Sequence, residues 1–97
     1  MRGMKKYRSS LGDIVLTDER KRHILLFHPD VAGVLQEFPR TLSKPEHVTR
    51  SLHDESVVIC YRFIARRKRF LAIVVKTGRS PFILTAYLAK KPKSSTL

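Results

Sequence analysis

Histidine, lysine, carboxylate and hydroxyl side chains stand at spacings that suit acid–base chemistry on a phosphodiester. Glu19 and His23 are four residues apart in a segment with helical patterning, so the carboxylate could orient the imidazole. Thr85 and Tyr87 alternate in a strand-like segment, so both hydroxyls would project from one face. RNA cleavage without a metal ion needs a base, an acid and cations at the phosphate. These residue types can supply all three.

Two cations in strand-like segments are candidates for contact with the phosphate. Lys76 ends an apolar run, where its ammonium either points to a phosphate or extends past the sheet edge to solvent. Arg62 interrupts the apolar row of the preceding predicted strand. It either binds phosphate or pairs with Asp54 or Glu55.

Each candidate also has a purely structural interpretation. Glu19, Arg20 and His23 fit a surface ion-pair cluster on a charged helix face. His28 precedes a proline, where it would cap the end of a helix. The threonine and tyrosine of the last predicted strand fit ordinary cross-strand packing. Spacing alone therefore leaves both interpretations open.

Positive charge is concentrated in the second half of the chain. The net charge is +12, and all eight acidic residues lie within positions 1–55, alongside ten Lys/Arg. Positions 56–97 carry ten Lys/Arg and no acid. Such a field attracts polyanions, so RNA or another nucleic acid is the expected partner, and an acidic inhibitor protein also fits. The cations predicted to contact nucleic acid are Arg20, Arg62, Arg66, Arg67, Lys68, Arg69 and Arg79.

Apolar periodicity and turn residues predict helices first and strands afterwards. Thr17 can cap the first helix, and Pro29 would end it. A capping box runs from Ser43 to Glu46 and predicts a third helix, with Val48 facing inward. The predicted helices cover residues 18–28, 30–38 and a short segment after 43; the predicted strands cover 57–65, 70–76 and 82–89, with a short edge strand at 13–16.

This order predicts an α+β fold in which two or three N-terminal helices pack on an antiparallel sheet of about four strands. One domain is expected at residues 13–91. A flexible basic arm would precede it at 1–12, and a flexible tail would follow at 92–97. The later strands are apolar at nearly every position, so either both sheet faces are covered or the second face meets a partner.

Several classes of function have no support in the sequence. No run of about 18 apolar residues is present, so no membrane span is expected. The basic N-terminus is not followed by an apolar run, and the single cysteine, Cys60, cannot form an internal disulfide, so we expect a cytoplasmic protein. No glycine-rich loop predicts a nucleotide cofactor. His23 and His28 would point in different directions from a helix, so no metal site is expected.

Five motifs in order along the chain resemble those of the barnase–EndoU–colicin–RelE-like nuclease superfamily, in its small phage- and toxin-associated members. The similarity covers roughly residues 13–91. The motifs are Glu19-Arg20-Lys21-Arg22-His23-Ile24, His28-Pro29, Thr41-Leu42-Ser43-Lys44-Pro45-Glu46-His47-Val48, Val74-Val75-Lys76 and Phe82-Ile83-Leu84-Thr85-Ala86-Tyr87.

This resemblance implies a RelE/barnase-like arrangement of helices on an antiparallel sheet. It also implies metal-independent RNA cleavage that leaves a cyclic phosphate, in a toxin or phage protein with a neutralising partner. By position, His23 matches the acid/base histidine and Lys76 matches the cation near the phosphate. Thr85 and Tyr87 match the polar pair of the final strand.

Three hypotheses follow from the sequence. In the first, the protein is an endoribonuclease in which Glu19 orients His23, Lys76 and Arg62 hold the phosphate, and the last strand donates hydrogen bonds or protons. In the second, the same basic surface binds nucleic acid without cleaving it. In the third, the apolar sheet face mediates protein interaction, as in a homodimer.

Overall fold

A single six-stranded sheet organises this computed structural model, which describes residues 3–93. The strand order is β1-β2-β6-β5-β4-β3. Strand β2 pairs with β6 in parallel, and the other pairings are antiparallel. The strands are β1 Met4–Tyr7, β2 Ile14–Thr17, β3 His47–Arg50, β4 Val57–Ile64, β5 Arg69–Lys76 and β6 Phe82–Ala89.

Two α-helices and a 3₁₀ helix connect β2 to β3. They are α1 Asp18–Phe27, the 3₁₀ helix Pro29–Glu37 and α2 Phe38–Ser43, and a further 3₁₀ turn spans Ala65–Arg67. Thr17 caps α1 as predicted, because its Oγ1 accepts the N–H of Arg20 at 3.1 Å. Helix α1 ends before Pro29, also as predicted.

The predicted helix at 30–38 is instead a 3₁₀ helix whose backbone leaves helical geometry at Val34. The predicted stop, Pro39, lies in the first turn of α2. Proline is tolerated there because the first helical N–H groups have no partner within the helix. The apolar residues that predicted this helix were Val31, Val34, Leu35 and Phe38. Three of them, Val31, Val34 and Phe38, are buried, and Leu35 is half-buried against the same core.

The predicted fold class is wrong. The sheet is mixed and has six strands, and only two short α-helices pack on it, so the described molecule is mostly sheet. Two strands come from the N-terminal region. Residues 4–7, expected in a flexible arm, form β1, because Tyr7 is buried with its ring 6.2 Å from that of Phe38. Strand β2 lies between β1 and β6 rather than at an edge.

The predicted third helix is also wrong, because residues 47–50 form β3. Glu46 does not close a capping box. Its N–H donates to the carbonyl of Tyr61 at 2.8 Å, and its Oε1 accepts the N–H of Phe63 at 2.9 Å. Thr49 is buried in the sheet, whereas Val48, expected to face inward, is exposed. Pairing with β4 thus overrides the local helix signal.

The two faces of the sheet have different coverings. On the helix face, Cys60, Ile73 and Ala86 are in register and belong to the buried core under the helices. The opposite face, which we call the open face, carries Tyr61 and Tyr87 in register across β4, β5 and β6. Within residues 3–93, no helix combines the length and hydropathy needed to cross a membrane.

The chain that follows β6 lies on the open face. The N–H of Lys93 donates to the hydroxyl of Tyr61 at 3.3 Å, and Tyr61 is fully buried. Lys91 and Lys93 line a shallow cavity together with His47 and Thr49 of β3. The described part of the predicted flexible tail therefore contacts the sheet, and positions 94–97 of that tail lie outside the described residues.

Candidate functional site

The polar side chains predicted on the last two strands share the open face. Thr85 pairs with Val74 and Tyr87 pairs with Ala72, so the two hydroxyl residues project from the same side of β6. Val74, the partner of Thr85, and Ala72, the partner of Tyr87, are two and four residues before Lys76 on β5. Because every second residue of a strand projects from the same face, Lys76 lies on that side too. The strand alternation therefore brings three of the five predicted catalytic residues to one surface.

A histidine that the sequence analysis treated as a helix cap lies next to Tyr87. The His28 ring is 6.0 Å from the Tyr87 ring, with an angle of 41° between their planes. His28 follows α1, where its N–H donates to the carbonyl of Ile24 at 2.7 Å. Pro29 ends the helix at this point, so the imidazole is held at the end of α1 that adjoins β6. In the sequence, the His28-Pro29 pair is the feature that marks this histidine at the end of a helix.

Tyr87 and Tyr61 flank Ala72 of β5 on the open face, and we call them the tyrosine pair. Burial, with a smaller contribution from the neighbouring Tyr61, raises the pKa of Tyr87 to about 12. A phenol of this kind stays protonated at neutral pH. Tyr87 can therefore donate a hydrogen bond or a proton, but it is unsuited to act as the base.

The His23 ring packs against Phe27 rather than against the tyrosine pair. The His23 side chain is exposed, and its ring lies 4.6 Å from that of Phe27 on the same helix. Glu19 is in the exposed first turn of α1, and no ion pair joins it to His23 within residues 3–93. His28, rather than His23, is the histidine in ring contact with Tyr87.

Lys76 is held at the far end of the open face. Its Nζ donates to Oδ2 of Asp54 at 2.8 Å. The Lys76 ammonium and two hydrogen bonds from Ser56 hold the pKa of Asp54 well below its usual range. Lys76 is four residues from Ala72, the partner of Tyr87, or about 13 Å along a strand that rises about 3.3 Å per residue.

Arg62 has neither of the acidic partners predicted for it. It pairs with neither Asp54 nor Glu55. Its Nη1 donates to the carbonyl of Lys44 at 2.7 Å and lies 4.0 Å from Oε2 of Glu46. Arg62 therefore ties β4 to the segment between α2 and β3.

Arg66 also has structural partners. Its Nη1 donates to Oε2 of Glu37 at 3.1 Å, and its Nη2 donates to the carbonyl of Gly33 at 2.8 Å. Arg20 is half-buried on α1, and within residues 3–93 its Nε has no hydrogen-bond partner. The contacts of Arg66 hold the 3₁₀ helix against the β4–β5 hairpin and leave less of its charge for an external phosphate.

The remaining predicted cations are exposed. Lys68 occupies the left-handed backbone region, with φ of 54°, at the tip of the β4–β5 hairpin. Arg69 donates to the carbonyl of Lys68 at 2.9 Å, and Arg67 lies in the same hairpin. Arg79 is in the β5–β6 turn, at the other end of the sheet. The exposed lysines that follow β6, which were not predicted as site residues, are Lys90, Lys91 and Lys93.

Cys60 does not form part of this site. Its side chain is buried on the helix face, and burial raises the pKa of its thiol to about 11. A protonated, buried thiol is a poor nucleophile. Within residues 3–93, no three His, Cys, Asp or Glu side chains come close enough together to bind a metal ion.

Comparisons with known protein families, with curated proteins and with solved structures found no match to this chain. The resemblance to the barnase–EndoU–colicin–RelE-like nucleases therefore stays a prediction based on five ordered motifs. The candidate site is defined by its own geometry: His28 and the tyrosine pair on the open face, with exposed cations on the hairpin and after β6.

Proposed function

We propose that the protein is an endoribonuclease that cleaves RNA without a metal ion, with His28 as the base and Tyr87 as the acid. The observation that carries this proposal is the contact between the His28 and Tyr87 rings, 6.0 Å apart, at a partly exposed position on the open face. A histidine beside a protonated phenol supplies the two proton-transfer groups that the reaction needs.

The reaction starts when His28 accepts the proton of the 2′-hydroxyl. The 2′-oxygen attacks the adjacent phosphorus and forms a new P–O bond, and the P–O5′ bond breaks. Tyr87 donates its proton to the departing 5′-oxygen. The products are a 2′,3′-cyclic phosphate and a 5′-hydroxyl. The imidazolium then loses its proton to solvent, and the phenolate regains one, which restores both groups.

The exposed lysines after β6 would balance the charge of the phosphate as it becomes pentacoordinate. Lys93 adjoins the tyrosine pair, because its N–H donates to Tyr61. Lys90 and Lys91 directly follow the strand that carries Tyr87. Cations near a phosphoryl group stabilise its developing charge and also raise the affinity for RNA.

The test is incubation of the full chain with a labelled single-stranded RNA in excess EDTA. We expect cleavage with a 2′,3′-cyclic phosphate end, and no cleavage where a 2′-deoxynucleotide stands before the scissile bond. His28→Gln should abolish most of this activity. His53→Gln, at an exposed histidine in the β3–β4 loop, is the matched control and should keep it. Cleavage that is indifferent to the 2′-deoxy substitution would exclude this mechanism.

A second candidate function, binding of nucleic acid without cleavage, is favoured by the Lys76–Asp54 ion pair. The lysine that the sequence predicts at the scissile phosphate already has a carboxylate partner 2.8 Å away. The same incubation separates the two functions. RNA that is bound but recovered intact after long exposure to the wild-type chain would favour the binding module and reject the nuclease.

A further inference from the structure

We infer that the ligand of the open face is single-stranded RNA, one base of which stacks on an aromatic platform formed by His47, Phe63 and Phe70. This inference relies on the proposed function for the identity of the ligand as RNA, but it does not depend on cleavage. The platform lies at the same end of the sheet as the β4–β5 hairpin and the start of the chain after β6.

The three rings form a continuous surface across β3, β4 and β5. Phe63 and Phe70 are register partners, with ring centroids 5.1 Å apart and an angle of 63° between the planes. The His47 ring is 5.8 Å from that of Phe70, at 68°. Such edge-to-face contacts fix the position of each ring. A fixed aromatic surface loses little side-chain entropy when a base binds to it.

The platform is exposed to solvent, whereas Tyr61, another aromatic residue of the open face, is covered. The Phe63 side chain is 44% exposed, whereas Tyr61, two residues earlier on the same face of β4, has no exposed surface. His47 is also exposed. An ordered pair of phenylalanines in contact with water leaves apolar area that a ligand can bury.

Exposed cations lie near the platform. Lys90 directly follows Ala89, the register partner of Phe70 on β6, and Arg67 and Lys68 are exposed in the hairpin that joins Phe63 to Phe70. Arg69 projects from the opposite face, because its register partner is the buried Ile64. Lys91 lines a cavity together with His47. The acid Glu46 also adjoins the platform: its Oε1 accepts the Phe63 N–H, and its Oε2 lies 4.0 Å from Arg62. The positive charge around the platform is therefore in excess.

This combination favours a single strand over the other occupants of an aromatic surface. Proteins that bind single strands stack bases on aromatic rings while cations follow the phosphates, and bases inside a duplex have no free face to stack. A second copy of this chain would bring the same cations face to face, and like charges repel. Charge complementarity therefore selects the polyanion.

The test measures binding of a labelled 2′-O-methyl RNA, which lacks the nucleophilic hydroxyl and stays intact. The wild-type chain should bind the single strand more tightly than the duplex of the same sequence. Phe63→Ala should weaken single-strand binding about 5- to 100-fold, the range found when a stacking aromatic is removed. It should leave duplex binding unchanged.

Phe82→Ala is the matched control, because Phe82 is an exposed phenylalanine, 37% accessible, at the opposite end of β6. It should bind the single strand as the wild type does. Equal losses in the two variants, no loss in Phe63→Ala, or a wild-type dimer that Phe63→Ala converts to a monomer would overturn the platform. A wild-type chain that shows the Phe63 effect but cleaves no RNA would refute the nuclease and keep the platform.

Discussion

Within the described part of the chain, the lysines at the two ends of the open face differ in whether an acid binds them. At the hairpin end, Lys90 and Lys91 are exposed, and Lys91 lines a cavity together with His47 of the platform. At the opposite end, Lys76 is bonded to Asp54. The N–H and the hydroxyl of Thr77 close that end further, each donating to the carbonyl of Ser56 at 2.7 Å.

The comparison teaches that counting cations along a sequence does not show which of them can meet a ligand. No acid follows position 55, so Lys76 looks unpaired in the sequence. Its partner comes instead from the loop before β4, which the β4–β5 pairing brings next to the end of β5. The following predictions test the difference between the two ends, from the largest expected effect to the smallest.

Removal of the Tyr87 hydroxyl should have the largest effect. Tyr87→Phe keeps the ring but removes the proton donor, so RNA cleavage should fall by about 10²- to 10⁴-fold, the range typical of general acid–base groups. Initial rates with saturating RNA measure this loss. Tyr7→Phe is the control, because Tyr7 packs against Phe38 in the helix-side core, and its cleavage rate should match that of the wild type.

Lysines at the two ends should contribute unequally to RNA affinity. The double variant Lys90→Ala/Lys91→Ala should bind uncleavable single-stranded RNA more weakly. The slope of log affinity against log salt should become shallower by about 0.7 per lost phosphate contact. Lys76→Ala should change the slope little, because its ammonium already has a carboxylate partner. A larger change in Lys76→Ala than in the double variant would reverse our comparison of the ends.

Asp54→Asn should leave Lys76 without its carboxylate partner, as the lysines at the hairpin end already are within residues 3–93. The substitution removes the acid that holds Lys76, so the freed ammonium adds a cation to the open face and RNA should bind modestly more tightly. Titration at low and moderate salt would measure the gain, which salt should diminish. In the double variant Asp54→Asn/Lys76→Ala, the gain should disappear. A gain in RNA affinity that persists in the double variant would contradict the assignment of the gain to Lys76.

Acid should slightly lower the stability of the fold by protonating Asp54, the partner of Lys76. A carboxyl whose pKa is lower in the folded than in the unfolded state stabilises the fold above the unfolded value. Asp54 has the ordinary carboxyl pKa of 3.8 when unfolded and a lowered pKa when folded. Its contribution is therefore present at neutral pH and is lost as pH falls below about 4. Thermal unfolding of wild type and Asp54→Asn should differ at neutral pH and converge in acid.

The sequence predicted well the elements that local patterning determines. The last strand was expected at 82–89 and is Phe82–Ala89, because its β-branched and aromatic residues are bounded by a turn. The cap at Thr17 and the helix end before Pro29 depend on neighbouring residues alone, and both are confirmed. Local signals failed where a distant strand competes. At Glu46, contacts with Tyr61 and Phe63 of β4 outweigh the capping box.

The candidate site was only partly predictable for the same reason. Alternation correctly placed Thr85 and Tyr87 on one face, since both lie on a single strand. Which histidine meets Tyr87 depends on how α1 packs beside β6, and neighbouring residues do not specify that packing. The sequence pointed to His23 because the family resemblance matches it to the acid/base histidine and Glu19 stands four residues before it, whereas the structure puts His28 in contact with Tyr87. The platform joins three strands and has no sequence motif.

The central claim, that His28 and Tyr87 form the proton-transfer pair, is tested most directly by comparing His28→Gln with His23→Gln. Both variants would be incubated with the same RNA in excess EDTA, and initial cleavage rates would be compared with the wild type. We predict that His28→Gln loses at least about 10²-fold, while His23→Gln stays near the wild-type rate. A His23→Gln variant that is inactive beside an active His28→Gln would contradict the claim and restore the sequence-based choice.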